Sequence, residues 1–218
     1  MSPPLFAFEA VTVDAPDGTR ILGPLHGEIP AGGITVIRGP SGAGKTTLLR
    51  LCNRLVLPAS GTVRFRGDDV AALDPLALRR RVGMVFQAPV MLEATVAADL
   101  RLADPDLDAA GLAALLDRVG LDPAFAERET EGLSGGEAQR ACIARALATG
   151  PEVLLADEPT SALDPERAAT IEALVRSLAA GGLDVIWVTH LEEQARRLAD
   201  RVLLLGDRRL DPEPARVG

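Results

Sequence analysis

The stretch Ile34-Thr35-Val36-Ile37-Arg38-Gly39-Pro40-Ser41-Gly42-Ala43-Gly44-Lys45-Thr46-Thr47-Leu48-Leu49-Arg50-Leu51 passes from an unbroken apolar run, through a glycine-rich turn, into a second apolar run. Gly39 to Thr46 spells G-x-x-x-x-G-K-[ST] between an expected strand and an expected helix, the setting of a phosphate-binding loop. Glycines let successive backbone N–H groups turn inward around phosphates, Lys45 reaches the β and γ oxygens, and the Thr46 hydroxyl can ligate Mg²⁺. A helix opening at Lys45 adds the positive end of its dipole. Residues Gly39 to Thr47 are therefore assigned to a nucleoside triphosphate.

Outward from this loop, punctuation and periodicity predict an α/β layout. Phe6 to Val13 is rich in strand formers and is followed by the turn Pro16-Asp17-Gly18, as in the start of an antiparallel β layer. Val82 to Phe86, Val153 to Ala156 and Val185 to Val188 are unbroken apolar segments, as strands buried on both faces should be. With Ile34 to Ile37 they predict a parallel sheet core. Thr95 to Gly120 carries Leu100, Leu112, Leu115, Leu116 and Val119 at helical spacing, interrupted by Pro105 and Gly111, and predicts an inserted helical subdomain. The tail Asp211-Pro212-Glu213-Pro214 reads as the one disordered stretch.

A second motif lies in Val153-Leu154-Leu155-Ala156-Asp157-Glu158-Pro159. A buried strand ending in two adjacent carboxylates places both at the carboxyl edge of the sheet, where open α/β folds bind ligands. Asp157 is assigned to magnesium and Glu158 to the attacking water. Ser134-x-x-Glu137 is a capping box for a helix over residues 138–147, but a cap does not explain the paired Gly135 and Gly136. They leave bare N–H groups at a helix N-terminus, a second anion-binding surface suited to another subunit's nucleotide.

Composition excludes several classes. The 218 residues can bury one sizeable core, and 47% hydrophobic with 25% charged residues is ordinary for a globular protein. No apolar run approaches the roughly 18 residues of a membrane span, and Met1-Ser2-Pro3-Pro4 lacks signal-peptide character, so a cytosolic location is expected. The net charge of -8 argues against nucleic acid as a partner. Cys52 and Cys142 read as free core thiols.

Gly39 to Thr46, Gln87, Leu133 to Glu137, Val153 to Glu158, Ser161-Ala162-Leu163-Asp164 and His190 follow the order and approximate spacing of the ATP-binding cassette ATPases, and the chain resembles that family from Phe6 to about Leu205. The resemblance implies a P-loop NTPase (RecA-like) core, residues 1–87 and 133–218, with an antiparallel β layer and a helical subdomain over 88–132 in one nucleotide-binding domain. It further implies head-to-tail pairing of two copies, each ATP held between one copy's phosphate loop and the other's signature segment, with Ser134 and Gly136 donating to the γ-phosphate. Gln87 then senses magnesium and the attacking water, Asp164 passes between the two sites, and His190 contacts the γ-phosphate and fixes Glu158. Locally, Asp164 before Pro165 is also a good N-cap.

The chain departs from that pattern where an aromatic should stack on adenine near Ala15, since it has no Tyr. Phe6, Phe8 or a partner's ring are the alternatives. The signature's fifth residue is Glu137 rather than Gln. The implied function is an ATPase subunit at the inner face of a membrane, driving an integral membrane transporter subunit that docks near Gln87 to Leu92. Segments 80–96 and 134–140 are similar to the bacterial iron-export and plant aluminium-tolerance ATPases and to phosphate-importer ATPases. A soluble cassette acting in DNA repair or translation is the alternative, although the coiled-coil insert or second cassette usual there is missing.

Overall fold

The computed structural model describes residues 3–206 and 209–213. In chain order the elements are β1 (Phe6–Asp14), β2 (Arg20–Ile29), β3 (Ile34–Arg38), α1 (Lys45–Cys52), β4 (Ser60–Phe65), β5 (Asp68–Asp69), α2 (Pro75–Arg81), β6 (Val82–Val85), α3 (Val96–Arg101), α4 (Ala109–Arg118), α5 (Gly135–Leu147), β7 (Val153–Asp157), α6 (Pro165–Ala180), β8 (Asp184–Val188), α7 (Glu192–Leu198), β9 (Arg201–Gly206) and β10 (Arg209–Pro212). Two short 3-10 turns, Pro123–Glu127 and Thr130–Gly132, precede α5.

The ten strands form one sheet in the order β5-β4-β1-β2-β10-β9-β3-β8-β7-β6. Its first part is antiparallel: β1 pairs with β2 and β4, and β4 with β5. Its other part is parallel, with β3 between β8 and β9 and with β7 between β6 and β8. The four apolar segments read from the sequence as a parallel core are thus neighbours in it.

Alternation along these strands divides the interior into two packed layers. Ile37, Leu155, Ile186 and Val188 face one layer together with Phe6, Phe65, Leu48 and Leu49. Val36, Leu154, Val185 and Trp187 face the other, where helices α3 to α6 pack. Helices α3 to α6 on one side, and α1 with the antiparallel layer on the other, bury both faces of these strands, so unbroken apolar runs are what they require.

Three local details differ from the sequence reading. Helix α5 opens at Gly135 rather than residue 138, because Ser134 is the N-cap and the glycines form its first turn. Gly111 does not interrupt the insert: it lies inside α4, and its N–H is taken by the Asp108 cap at 2.8 Å. Asp211 and Pro212 are not a loose tail, since they pair with Leu204 and Leu203 of β9, and Leu210 is buried beside them. Pro214 lies outside the described residues.

Candidate nucleotide site

The turn between β3 and α1 curls around a hollow of about 630 Å³ lined by Ile21, Ser41, Gly42, Gly44, Lys45, Thr46, Thr47, Glu158 and His190. Gly44 caps α1 with φ 91 and ψ 19, a left-handed geometry that an L side chain adopts only with strain. Lys45 follows at the helix start and is only 8% exposed. Its Nζ donates to the carbonyls of Gly39 at 3.0 Å and Pro40 at 2.9 Å, which holds the ammonium over the loop it closes. Ala43 donates its N–H to the Pro40 carbonyl at 3.2 Å and packs on the core below.

The strand β7 delivers the carboxylates. Asp157 ends it, buried, and accepts a hydrogen bond from Thr46 Oγ1 at 3.1 Å. Burial pushes the Asp157 carboxyl above its ordinary range, against the opposing hydrogen bond from Thr46, while neighbouring Glu158 adds to the rise. A cation here would reverse that balance. The pair Thr46 hydroxyl and Asp157 carboxylate is a hard-oxygen set of the kind that holds Mg²⁺ together with substrate phosphates, and among the described residues no group of three or more His, Cys, Asp or Glu forms an all-protein cage.

Glu158 takes φ 45, in the left-handed region and without glycine's freedom, a conformation costing on the order of 1–3 kcal/mol. Its N–H donates to the Val188 carbonyl at 3.2 Å, so the twist is fixed by the neighbouring strand β8. The result aims its carboxylate at the segment after β8, where His190 Nδ1 lies 3.0 Å from Glu158 Oε2. His190 Nε2 makes no hydrogen bond among the described residues, and the ring lines the hollow.

The loop between β7 and α6 is anchored from beneath. Gln194 of α7, buried, donates Nε2 to Thr160 Oγ1 at 2.8 Å and to Glu172 Oε1 at 2.9 Å, and its Oε1 accepts from Trp187 Nε1 at 3.3 Å. This network ties the His190 segment to the start of the Ser161 to Asp164 loop. Gln87, exposed after β6, donates Nε2 to Ser161 Oγ at 3.1 Å rather than to Asp157 or Glu158. Asp164 caps α6 by accepting the Arg167 N–H at 2.9 Å, as the sequence predicts.

Ser134, Gly135 and Gly136 do not line the hollow. The capping box is present: Ser134 Oγ accepts from Glu137 N at 3.4 Å, and Glu137 Oε2 from Ser134 N at 2.7 Å. That backbone N–H, the Ser134 hydroxyl and Arg128 hold the Glu137 carboxyl below the usual range. Added Cβ atoms at Gly135 and Gly136 would meet nothing closer than 3.4 Å, at Leu163 Cδ2 and Arg167 Cδ. The fold of this chain alone therefore leaves room for alanine at both positions.

Further along α5, Arg145 grips the segment after Gln87. Its Nη1 donates to both oxygens of the fully buried Asp99, at 2.9 and 2.7 Å, and its Nη2 to the Val90 carbonyl at 3.0 Å. Asp99 Oδ1 also accepts the Leu92 N–H at 2.8 Å. Beside this clasp, residues 91–95 and 129–131 border a groove of about 590 Å³.

Sequence reasoning located the loop, both carboxylates and His190 together, but missed Ile21, Asp99, Arg145 and Gln194. Ile21, 41% exposed and the apolar side chain in the hollow's lining, is one large apolar residue at the start of β2, a visible yet unspecific signal. Ala15 does not line the hollow. Phe6 and Phe8 are 0% and 2% exposed, and Phe6 stacks on Phe65 at 5.0 Å, so neither is the base-stacking ring. Cys52 and Cys142 are buried free thiols, as read.

Residues 22–161 match the family model described as ABC transporter. The chain is 47% identical over 193 residues to "Protein STAR1" of Oryza sativa subsp. japonica, covering 86% of this chain and 56% of that protein. It is 43% identical over 212 residues to "ABC transporter I family member 17" of Arabidopsis thaliana, covering 94% of this chain and 80% of the relative. It is also 47% identical over 198 residues to "Methionine import ATP-binding protein MetN" of Caulobacter vibrioides, covering 86% of this chain and 59% of the relative. Among solved structures, cbiO1 from Clostridium perfringens, described as part of the ABC transporter complex cbiONQ, superposes with a TM-score of 0.84 at 27% identity, covering 95% of this chain and 87% of that one. With the phosphate loop, paired carboxylates and capped glycine pair set on this sheet, the chain belongs to the ABC transporter family and is one of its ATP-binding cassettes.

Proposed function

We propose that this chain binds and hydrolyses ATP, and that two copies closing on two ATP molecules drive an integral membrane transporter subunit from the cytoplasmic face. Glu158, held by His190 at 3.0 Å at the mouth of the phosphate-loop hollow, is the observation that carries this reading. Relatives named as methionine-import and phosphate-import ATP-binding proteins support the transport role.

In this mechanism Lys45 and the loop N–H groups from Ser41 to Thr47 bind the β- and γ-phosphates. Lys45 exchanges its two carbonyl contacts for phosphate oxygens. Thr46 and Asp157 would hold Mg²⁺, which supplies charge neutralisation on the phosphates when bound. Glu158 orients a water and accepts its proton as the water oxygen bonds to the γ-phosphorus and the bond to the β–γ bridging oxygen breaks, leaving ADP and inorganic phosphate. His190 keeps Glu158 in place through Nδ1 and offers Nε2 to the γ-phosphate. Gln87 reaches the same water on closure, moving from Ser161.

The second half of each site comes from the other copy. Ser134 Oγ and the N–H groups of Gly135 and Gly136 face its γ-phosphate, and Asp164 lies where the two sites meet. The two glycines support this, because they put backbone N–H groups without covering side chains in the first turn of a capped helix, where an anion is favoured. The domain divides accordingly into a core, residues 1–87 and 133–218, and a helical part, 88–132, that receives the membrane subunit on the segment after Gln87.

Glu158→Gln tests the reading. Removing the base while keeping shape should lower hydrolysis by about 10²- to 10⁴-fold and leave ATP binding intact. ATP-dependent dimers should accumulate in light scattering. Near-parental hydrolysis by this variant would overturn the assignment of Glu158.

A further inference from the structure

Past the ends of β7 and β8 the sheet no longer holds together the two segments that carry Glu158 and His190. The last ties of the ladder are Asp157 opposite Val188 and the Glu158 N–H on the Val188 carbonyl at 3.2 Å. From there each segment turns to other partners. The Thr189 N–H goes to the Ile37 carbonyl of β3 at 3.4 Å, while the Ser161 and Leu163 N–H groups close turns on Glu158 and Thr160, each at 3.1 Å. Among the described residues, two side-chain hydrogen bonds rejoin the segments: Glu158 with His190 at 3.0 Å, and Gln194 with Thr160 at 2.8 Å. The first lies at the hollow and consists of the functional groups themselves. The second is buried, two residues after Glu158 and four after His190.

The chemistry of its neighbours fixes the Gln194 amide. The Trp187 indole can only donate, so Oε1 faces it, at 3.3 Å. The Glu172 carboxylate accepts, so Nε2 faces it, at 2.9 Å, and the other Nε2 hydrogen is left for Thr160 Oγ1. Glu172 is held in turn by Arg197, which donates Nε and Nη2 to it at 3.2 and 3.1 Å. One side chain of α7 thus meets β8, α6 and the loop after β7, and gives a different polar position to each. Leucine would fill the same space without fixing any of these spacings. The other side-chain tie of α7, Arg38 to Glu192 at 3.8 Å, runs to β3 and not to the Glu158 loop.

We infer that Gln194 is the positioning residue of the Glu158–His190 pair: through Thr160 it holds the loop after Glu158 against the helix after His190, and so sets the separation of the two. The inference rests on the reading of the pair given above and adds the group that holds it from outside. Displacement of reacting groups by about 1 Å can lower a rate about 10²-fold, so a tie this near the pair acts on turnover rather than on ATP binding.

Thr160→Val cuts the tie with an isosteric side chain and leaves the Trp187 and Glu172 bonds in place. Gln194→Leu removes all three. The sequence holds two histidines and one tryptophan, so ring-¹⁵N histidine and indole-¹⁵N tryptophan in the full chain give three assignable reporters. His190 reads the pair, His26 in β2 is the control for folding, and the Trp187 N–H reads whether the amide is in place. Glu158→Ala supplies the reference signals of His190 without its partner. In both tie variants the His190 signals should move toward that reference while His26 stays, and the Trp187 signal should move in Gln194→Leu. With ATP and Mg²⁺, kcat should fall about 10- to 100-fold and KM should stay within about twofold, because the phosphate loop lies on another segment. The swap Gln194→Glu with Glu172→Gln rebuilds the bridge in reversed polarity, the new carboxylate accepting from the Thr160 hydroxyl, the Trp187 indole and the amide now on α6. It should restore kcat to within about threefold. Parental His190 signals in both tie variants would overturn the inference, as would a rise in KM that accounts for the whole loss of kcat/KM. Displaced His190 signals with parental kcat would uphold the positioning and remove the pair from the chemistry, which is the failure of the functional reading and not of this one.

Discussion

The phosphate loop and the signature segment both end in the N-terminus of a helix, yet this chain treats them differently. Around the loop, every group the chemistry needs has a partner inside the chain: Lys45 on two carbonyls, Thr46 on Asp157, Glu158 on His190. Around Ser134 the helix is capped, but neither Gly135 nor Gly136 is required by the packing of the chain itself, since an added Cβ would meet Leu163 and Arg167 only at ordinary contact distance, 3.4 Å or more. A residue choice that the monomer does not need points outside the monomer. On the proposed reading the first region is a site of its own and the second completes the site of another copy.

The largest effect expected falls on the far end of the signature helix. Asp99→Ala leaves the Arg145 guanidinium without its buried partner and should destabilise the fold by about 3–5 kcal/mol in denaturant unfolding. A loss under about 1 kcal/mol would mean that water reaches the pair and that α5 is not tied to residues 90 and 92 through it. Next comes Lys45→Ala, which removes charge-assisted hydrogen bonds to phosphate. ATP affinity of the monomer should drop about 10- to 100-fold by calorimetry, without loss of fold.

Gly136→Ala separates the two regions most cleanly. In the monomer it replaces a first-turn glycine where space exists, so thermal stability should hold or rise by up to about 1 kcal/mol, and ATP affinity should not change. The ATP-dependent dimer formed in a Glu158→Gln background should nonetheless be lost in light scattering. A dimer that survives would make the glycine pair incidental and erase the contrast.

The smallest effects are titrations of opposite sign. Asp157 is raised above its ordinary 3.8, so the ligand-free fold holds that proton longer than the unfolded chain does. Its stability should therefore fall as pH rises through the window above the ordinary value, and Asp157→Asn should abolish that fall. Glu137 is lowered from 4.5, so its contribution is present above that value and disappears as pH drops through the lower folded one. Thermal melts across the acid range on Asp157→Asn and Glu137→Gln should bend in opposite directions relative to the parent.

Much of this was readable in the chain because its signals are local. The loop, the capping box at Ser134 and Glu137, and the N-cap at Asp164 involve neighbours three or four residues apart, and each forms as the spacing predicts. The apolar runs give β3, β6, β7 and β8 because burial on both faces removes alternation. Partners distant in sequence were not readable. Nothing in the helical pattern of α3 marks Asp99 as the fully buried partner of Arg145, and Gln194 is an unremarked polar residue until Trp187, Thr160 and Glu172 surround it. The strand β10 was hidden by its own composition, since Asp and Pro argue for a loop while one buried leucine and an edge to pair with decide otherwise.

That strand has a kinetic meaning. β10 lies between the antiparallel part of the sheet and the parallel part, with Arg209 opposite His26 of β2 and Leu210 opposite Leu205 of β9. A Cβ on Gly27, at φ 150, would come within 2.7 Å of the Leu210 carbonyl oxygen, so the seam closes only where β2 has no side chain. During synthesis, β2 and β9 are both complete before β10 emerges. Until then each presents an unpaired edge, the form of strand that recruits other chains. The two sheet halves are thus zipped by a segment made after both of the strands it joins: the edge of β2 stays open to other chains from early in synthesis, and that of β9 from residue 206, until residue 212 has emerged.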